Sequence, residues 1–419
     1  MAGITKKPEI MAPVGDMTAL DAAIKAGADA VYFGIEGMNM RAGAKNFTLR
    51  RMVSLCERCR RANVKKYLTL NTVYFEGELA KLGRAVAAAK RAGVDAVIAW
   101  DPAVLELARA AGMEVHLSTQ ASAANSAAVL SYHRNFGVRR FVLAREVGLE
   151  QIRKIRSAVA RELGAREASR IGFEVFAHGA MCVSVSGRCF MSLYQYGKSA
   201  NRGECLQPCR REYFIHDGRP DTEGFALEKS HILSPKDLCT LPFLEKLIEA
   251  GADSLKIEGR NRNAEYVYEC VSAYRRVVDF YFENRGGAAF KRDFEALKAS
   301  EFARLEKVFN RGFSSGFYMG RPAGDWTSAG NEAKRRKSIL GRVVNYFPKI
   351  GVAQISVDNG SLREGDEIQL EGETTGFLRF SASGMRVGGA EAACAKKGDE
   401  VSLRVPEKVR KNDRLYVFI

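Results

Sequence analysis

Short apolar runs and amphipathic stretches follow one another through the first two thirds of the chain. The runs are continuous rather than alternating, as strands buried on both faces of a sheet should be, and helical segments separate them. Strands and helices in this order form parallel sheets. We therefore predict an α/β fold built on a (β/α)8 TIM-like barrel, with a doubly wound sheet as the alternative. The eight predicted strands lie near residues 9–13, 31–34, 67–72, 97–100, 114–118, 140–144, 172–177 and 254–257.

One short sequence motif marks the predicted joints between helix and strand. It occurs at residues 26–33, 92–99 and 250–257, with a looser copy at 136–143. In each copy a glycine ends a helix and an apolar strand follows at once. Such repetition is expected of successive joints in a parallel sheet.

The spacing of the predicted strands is interrupted once. The seventh and eighth strands begin at residues 172 and 254, a much wider gap than between any other pair, and a run of cysteines fills its front. Active sites of (β/α)8 barrels lie at the C-terminal ends of the strands. We therefore expect this insertion, at about 178–240, to project from the catalytic face.

The pattern changes near the C-terminus. Short apolar runs are separated by turn signals such as Asp358-Asn359-Gly360, at the spacing of an all-β fold. We expect the TIM-like barrel to occupy residues 1–290, a basic helical connector to occupy 291–337, and a small C-terminal β-barrel domain to occupy 338–419.

The distribution of charge along the chain indicates a possible binding partner. Residues 338–419 hold 12 Lys/Arg against 11 Asp/Glu, so +15 of the formal net charge of +16 falls on residues 1–337. A basic surface of this kind favours a polyanion, above all nucleic acid, although a solvated surface without a partner would have the same composition. The densest run is Lys334, Arg335, Arg336 and Lys337, which we take as the candidate RNA contact, with a solvated linker as the alternative.

The chain carries no signal for export or for a membrane. Its N-terminus lacks the apolar segment of a signal peptide, and no stretch approaches the roughly 18 apolar residues that cross a bilayer. We therefore expect a cytoplasmic protein with reduced thiols and no membrane partner.

Four cysteines lie close together in the insertion: Cys182, Cys189, Cys205 and Cys209. In a reduced compartment, clustered thiols bind metal more often than they form disulfides. Zinc sites are commonly built from short Cys-x2-4-Cys knuckles, and only the last two cysteines have that form. The wider spacing of the first two suits an iron–sulfur cluster, and zinc is the alternative.

Hydrolase signals are weak. The sequence contains neither a His-Glu-x-x-His nor a Gly-x-Ser-x-Gly motif. His178 and Cys182 form the one close His/Cys pair in the sequence, and a cysteine peptidase would need such a thiol beside a base.

Residues 174–192, from Glu174 to Ser192, resemble the signature of the collagenase-like peptidase family U32. Further matching stretches lie at 11–16, 39–42, 116–121, 233–239 and 256–260. Despite the family's name, the resemblance implies oxygen-independent hydroxylation of RNA bases or ubiquinone precursors with a 4Fe–4S cluster. Residues 310–317 and the C-terminal β-domain resemble the branch that makes 5-hydroxyuridine at the tRNA wobble position, with prephenate as the implied hydroxyl source.

Other functions stay open at this point. They are a U32-type peptidase, a hydroxylase of an rRNA base or a ubiquinone precursor, and a zinc-stabilised RNA-binding module without turnover. The partners implied by the resemblance are tRNA and prephenate. A homodimer or a heterodimer with a paralogous U32 chain is also compatible with it.

The resemblance also implies site residues. The cluster ligands would be Cys182, Cys189, Cys205 and Cys239, the last from the Lys-Asp-Leu-Cys motif, whereas spacing alone would favour Cys209 as the fourth. Prephenate is a dicarboxylate, which arginines can bind bidentately. Candidate arginines in family motifs are Arg41, Arg188 and Arg260, each of which could instead form a structural ion pair. For proton transfer the candidates are His178 and Glu258, although the histidine could equally be structural.

Overall fold

The computed structural model describes residues 6–43, 45–213, 231–322, 324–327 and 330–419. Residues 214–230 of the predicted insertion therefore lie outside the described residues, as do residues 1–5. Ten strands precede the C-terminal region in the described part of the chain. They are β1 (Glu9–Pro13), β2 (Ala30–Gly34), β3 (Lys65–Thr69), β4 (Ala96–Ala99), β5 (Glu114–Leu117), β6 (Arg140–Val142), β7 (Gly172–Gly179), β8 (Asp237–Cys239), β9 (Ser254–Ile257) and β10 (Phe313–Ser314).

Eight of these strands form a closed parallel barrel. Strands β1 to β7 pair in sequence order, and β9 pairs with both β1 and β7. The barrel strands coincide with the eight predicted runs, so the TIM-like barrel is confirmed. The doubly wound alternative is wrong because the sheet closes on itself. Strands β8 and β10 lie outside the barrel, where β8 runs antiparallel to the end of β7.

Helices cover the outside of the barrel, with two exceptions. The helices are α1 (Met17–Lys25), α2 (Leu49–Arg61), α3 (Leu79–Ala92), α4 (Pro102–Ala110), α5 (Ser126–Phe136), α6 (Leu149–Ala168), α7 (Met191–Tyr196), α8 (Leu244–Ala250), α9 (Ala264–Asn284) and α10 (Phe290–Leu305). The exceptions are α7, which belongs to the insertion after β7, and α10, which packs on α9. None of the helices in the described ranges is long and apolar enough to span a bilayer.

Helix α2 illustrates how the sequence forms these elements. The side chain of Thr48 accepts a hydrogen bond from the backbone of Arg51 and caps the helix. Its buried residues include Leu55, Cys56 and Cys59, spaced as one face of a helix. Burial raises the pKa of Cys56 to about 11 and that of Cys59 to about 12. Both therefore pack as neutral thiols in the core.

The repeated sequence motif has a physical explanation at the N-terminal end of the barrel. Each of its glycines ends a helix with a positive φ, for example 76° at Gly93, a conformation that glycine adopts without strain. The aspartate two residues later then accepts a hydrogen bond from the backbone of the preceding or neighbouring barrel strand. These bonds join Asp29 to Ile10 N, Asp95 to Lys66 N and Asp253 to Phe173 N, each at 2.8 Å.

The C-terminal region is all-β, as predicted. Eight of its strands form an antiparallel sheet in the order β15-β14-β20-β11-β12-β19-β16-β17, and β13 pairs with β18. Burial alternates along β12, where Ala353, Ile355 and Val357 point into the core. The strands are β11 (Lys337–Phe347), β12 (Val352–Val357), β13 (Ser361–Arg363), β14 (Glu367–Gly372), β15 (Gly376–Ser381), β16 (Arg386–Val387), β17 (Ala390–Glu391), β18 (Cys394–Lys396), β19 (Glu400–Arg404) and β20 (Arg414–Phe418).

The C-terminal sheet packs on the barrel through β15. Phe377 is buried against Ala22 of α1 and Ala264 of α9, and its ring stacks on Tyr268 at a centroid distance of 4.8 Å. The backbone of Phe377 also donates to the carboxylate of Asp21 at 2.8 Å. An apolar contact and a buried hydrogen bond therefore fix the sheet against two barrel helices.

Candidate functional site

A cavity of about 200 Å3 lies at the C-terminal ends of the barrel strands, the face at which such barrels catalyse reactions. Tyr32, Thr69 and Lys256 line it from β2, β3 and β9, and the insertion after β7 supplies many of its other residues. The chain turns out of β7 at Gly179, where φ is 105° and a Cβ atom would overlap the carbonyl oxygen of Glu258. Only glycine lets the two chain segments approach this closely.

Four thiols share this cavity: those of Cys182, Cys189, Cys205 and Cys209. Burial raises the pKa of Cys209 to about 11, and the other three thiols are near enough to add to that rise. The sulfurs of Cys189 and Cys205 each accept a hydrogen bond at 3.4 Å from the backbone N–H two residues later. Such N–H groups stabilise bound thiolates and tune iron–sulfur clusters.

Cys239, which the resemblance implies as the fourth ligand, does not line the cavity. It is buried in the core, outside the cavity lining, and its sulfur lies 3.9 Å from the hydroxyl of Tyr274. Burial raises its pKa to about 12, and no cysteine of the cavity contributes to that shift. The physical reason is its position on β8, from which its side chain points toward α9. Cys209, the alternative that spacing favours, is the fourth thiol of the cavity.

The four thiols are a donor set that both zinc and an iron–sulfur cluster accept. Among the described residues, no group of three or more His, Cys, Asp or Glu side chains has the spacing of a site for one metal ion. A structural zinc site needs four ligands at about 2.0–2.3 Å from one centre.

The wall of the cavity is strongly basic. Seven cationic side chains line it, namely Arg41, Arg145, Arg210, Lys256, Arg260, Arg262 and Arg311. Glu258 is the one acidic residue in the lining that the structure describes. Two further carboxylates behind the lining pair with these cations, because Glu174 lies 2.8 Å from Lys256 and Asp237 lies 3.4 Å from Arg311. Cations thus outnumber carboxylates, as an anion-binding site requires.

Glu258 organises two of these arginines. Its carboxylate lies 3.3 Å from Arg41 Nη2 and 4.0 Å from Arg145 Nη2. Burial alone would raise its pKa, but the charges of Arg41, Arg145 and Arg260 lower it to about 2. A carboxylate with such a pKa remains ionised at neutral pH. Glu258 is therefore suited to hold arginines and poorly suited to the proton transfer that its position in the sequence suggested.

Arg260 lies in the cavity as the sequence predicts. Its Nη1 donates to Asn39 Oδ1 and to Thr69 Oγ1, each at 2.9 Å. Burial lowers the pKa of Arg260 to about 10, which leaves it charged. Because these two partners are neutral, they orient the guanidinium without cancelling its charge.

Arg188 is outside the cavity. It is exposed, donates to Ser122 Oγ at 3.0 Å and lies 5.9 Å from the ring of Trp100. Arg145 takes its place in the lining and was missed as a candidate. It follows β6 directly, packs 3.8 Å over the ring of Phe176 and donates to Ala180 O at 2.7 Å. Its position just after a predicted strand was the signal that could have identified it.

His178 does not reach the cavity either. Its ring lies among those of Tyr266, Tyr274 and Phe313, with centroid distances of 5.9, 5.7 and 5.4 Å. Burial lowers its pKa to about 3, so the imidazole is neutral. The structural interpretation of this histidine therefore replaces the catalytic one. Its carbonyl accepts from the backbone of Glu258 at 2.8 Å and holds the start of that loop.

The basic run at residues 334–337 is bound to acidic side chains. Arg335 lies 3.2 Å from both Glu265 of α9 and Glu367 of β14. Lys337 lies 2.7 Å from Glu371, and Lys334 lies 2.8 Å from a glutamate after α10. Only Arg336 is exposed without a side-chain ion pair among the described residues. The run joins the barrel to the C-terminal sheet, and three of its four cations already pair with acidic side chains.

Comparison with known proteins places these features in a family. A model of peptidase family U32 matches residues 15–328. A Porphyromonas gingivalis protein named collagenase is 42% identical over 98% of this chain and 97% of its own length. The tRNA hydroxylation protein P1 of Bacillus subtilis is 34% identical over 88% of this chain and 84% of its own length. The 23S rRNA 5-hydroxycytidine synthase of Escherichia coli is 35% identical over 76% of this chain and 46% of its own length. The chain belongs to peptidase family U32.

Proposed function

We propose that this chain hydroxylates an RNA base without molecular oxygen. More narrowly, it converts the wobble uridine of tRNA to 5-hydroxyuridine, with prephenate as the hydroxyl source. The observation that carries the proposal is the four-thiol, cationic cavity on the catalytic face of the barrel. Two relatives whose names state tRNA and rRNA hydroxylation support the substrate class.

A 4Fe–4S cluster would be held by Cys182, Cys189, Cys205 and Cys209. When bound, it would supply one-electron redox chemistry beside the substrate. Replacing C5–H of uridine by C5–OH removes two electrons from the base. The exchange balances if the hydroxyl donor takes up these electrons and the displaced hydrogen, so that its C–OH becomes C–H. The backbone N–H groups that bond to Cys189 and Cys205 would favour the thiolate form of both ligands.

The cationic wall suits a dicarboxylate. Arg41 and Arg145 share one carboxylate, Glu258, and Arg260 bonds to neutral partners only. These guanidiniums retain N–H donors and positive charge for a substrate carboxylate. Glu258 acts as a positioning residue, because its ionised carboxylate keeps two arginines in place before the substrate arrives.

The base itself must leave its stack to react. A cavity of about 200 Å3 is smaller than the common range of about 300–1,000 Å3 for ligand pockets. An RNA duplex does not fit into such a space. Enzymes that modify bases act on single-stranded nucleotides or extrude the target, and an anticodon loop presents its bases in that form.

A peptidase is the second candidate, because the Porphyromonas gingivalis relative is named collagenase. A cysteine peptidase needs a thiol of low pKa beside a base. Cys239, the residue in register with His178, has a pKa of about 12 because it is buried. Burial also keeps His178 neutral. Cys182 lies 2.9 Å from Ser184 Oγ, a hydroxyl that cannot act as its base. Neither thiol has an imidazole as hydrogen-bond partner in the described part of the chain, which favours the hydroxylase.

Nucleoside mass spectrometry of tRNA tests the proposal. In a host that lacks U32 proteins, wild-type protein should generate 5-hydroxyuridine, whereas Cys209→Ser should generate none. Cys394→Ser is the matched control, because this exposed cysteine lies in the C-terminal sheet, and it should act as wild type. Absence of hydroxylated nucleosides with wild-type protein, or full activity of Cys209→Ser, would refute the proposal.

A further inference from the structure

The insertion exposes an unusual amount of apolar surface. Fifteen large hydrophobic side chains are exposed in the described residues, and seven of them fall within residues 183–206. Isolated exposed apolar residues are normal, but a contiguous group marks an interaction site. The seven are Val183, Val185, Phe190, Leu193, Tyr194, Tyr196 and Leu206.

These side chains surround the mouth of the cavity. Phe190 lies between two residues that line it, Cys189 and Met191, and is 60% exposed. Tyr194, on the same short helix α7, is 84% exposed. The rings of Phe190 and Tyr194 lie 6.1 Å apart, and both are open to solvent. Both rings therefore lie on the segment that lines the cavity and are free to contact a molecule outside it.

The same segment is strongly basic. Residues 183–211 contain Arg188, Lys198, Arg202, Arg210 and Arg211 against a single acid, Glu204. Two of these arginines lie over exposed aromatic rings: Arg211 is 5.0 Å from the ring of Tyr196, and Arg202 is 4.6 Å from the ring of Phe75. Phe75 follows β3 and is 61% exposed. Cations and aromatic faces thus alternate on one surface.

We propose that Phe75, Phe190, Tyr194 and Tyr196 form a stacking platform that binds the unpaired bases of an RNA loop and guides one of them into the cavity. The inference rests on the proposed function and adds the surface that recognises the substrate. Base faces stack on aromatic rings and on arginine planes, and phosphates pair with the neighbouring cations. Arg188 and Arg211 form no side-chain ion pair in the described residues, whereas Arg202 pairs with Glu78 and Lys198 with Glu204. A protein partner would use the apolar side chains but would leave Arg188 and Arg211 without a complement.

Binding of a fluorescein-labelled RNA hairpin tests the platform by fluorescence anisotropy. Tyr194→Ala should weaken hairpin binding by about 5- to 150-fold, the effect of losing one base–aromatic stack. Tyr194→Phe should bind as wild type because the ring is kept. Tyr194→Leu keeps an apolar side chain without a ring, and it should bind as weakly as Tyr194→Ala. Ile350→Ala is the matched control, because it removes another exposed apolar side chain, 68% exposed, from the C-terminal region.

Several outcomes would overturn the platform. One is wild-type hairpin affinity of both Tyr194→Ala and Phe190→Ala. Another is wild-type hairpin affinity of Tyr194→Leu. A third is that wild-type protein binds a fully paired RNA duplex as tightly as the hairpin. If wild-type protein sediments as a dimer and Tyr194→Ala as a monomer, while both bind the hairpin equally, the surface would be assigned to a second copy of the chain. Unchanged thermal unfolding of the variants excludes misfolding as the cause of weaker binding.

The binding assay is independent of hydroxylation. Wild-type protein without prephenate should bind the hairpin although it produces no 5-hydroxyuridine. If the proposed chemistry is wrong, the nucleoside analysis will show no 5-hydroxyuridine while hairpin binding is unaffected. If the platform is wrong, the anisotropy of the variants will be unchanged while hydroxylation is unaffected.

Discussion

Glu258→Gln tests the electrostatic account of the cavity. The substitution removes one negative charge and keeps the shape of the side chain, which is 12% exposed. The pKa of Glu258 falls from 4.5 to about 2 in the folded protein. At about 1.4 kcal/mol for each pH unit, this difference corresponds to about 3 kcal/mol of stability at neutral pH. Loss of one member of a buried ion pair costs about 3–5 kcal/mol in other proteins. We therefore expect the free energy of unfolding to fall by about 3 kcal/mol at pH 7.

The pH dependence has a defined sign. Because the pKa of Glu258 is lower in the folded than in the unfolded protein, its stabilising effect is complete above the unfolded value of about 4.3 and disappears as the pH falls toward 2. The difference between wild type and Glu258→Gln should therefore shrink between pH 5 and pH 2, a window set by those two values.

Urea unfolding followed by tryptophan fluorescence measures this effect. Both tryptophans, Trp100 and Trp326, precede the C-terminal sheet, so the signal follows the barrel. Glu57→Gln, on the exposed side of α2, is the control and should change stability by less than about 0.5 kcal/mol. A loss below about 1 kcal/mol for Glu258→Gln at pH 7, or an undiminished loss at pH 3, would contradict the account.

Three further predictions concern the cluster, the substrate and the contact between domains. Cys209→Ser should lose most of the iron found in anaerobically purified wild-type protein, whereas Cys239→Ser should keep it; the reverse result would restore Cys239 as the fourth ligand. Arg260→Met should weaken prephenate binding, measured by calorimetry, by about 10- to 100-fold, as expected for loss of a charge-assisted hydrogen bond. Arg188→Met alters an arginine outside the cavity and should leave prephenate binding unchanged. Arg335→Met should lower the free energy of unfolding by about 2 kcal/mol without changing RNA affinity. A loss of RNA affinity without a loss of stability would instead support residues 334–337 as an RNA contact.

The barrel was predictable because its signals are local. Three joints between helix and strand repeat a glycine that ends the helix and an aspartate that bonds to a strand, as Gly93 and Asp95 do. Continuous apolar runs then identify strands buried on both faces. The position of the cysteine-bearing insertion follows from the strand count alone, since chain that follows the seventh strand must leave the barrel at its C-terminal end.

The directions of side chains were not predictable, because they depend on contacts between distant segments. His178 is buried by Tyr274 of α9, and Cys239 points toward the same tyrosine. Arg335 pairs with Glu265 and Glu367, which lie 70 and 32 residues away in sequence. Composition records that a run is basic, but only the fold determines whether acidic residues are already bound to it.

Turnover by the purified protein tests the central claim most directly. Anaerobically purified chain, incubated with unmodified tRNA and prephenate, should form 5-hydroxyuridine at the wobble position, and omission of prephenate or use of Cys209→Ser should abolish it. The account would be contradicted if folded protein with its full iron content formed no hydroxylated nucleoside, or if iron-free protein cleaved denatured collagen.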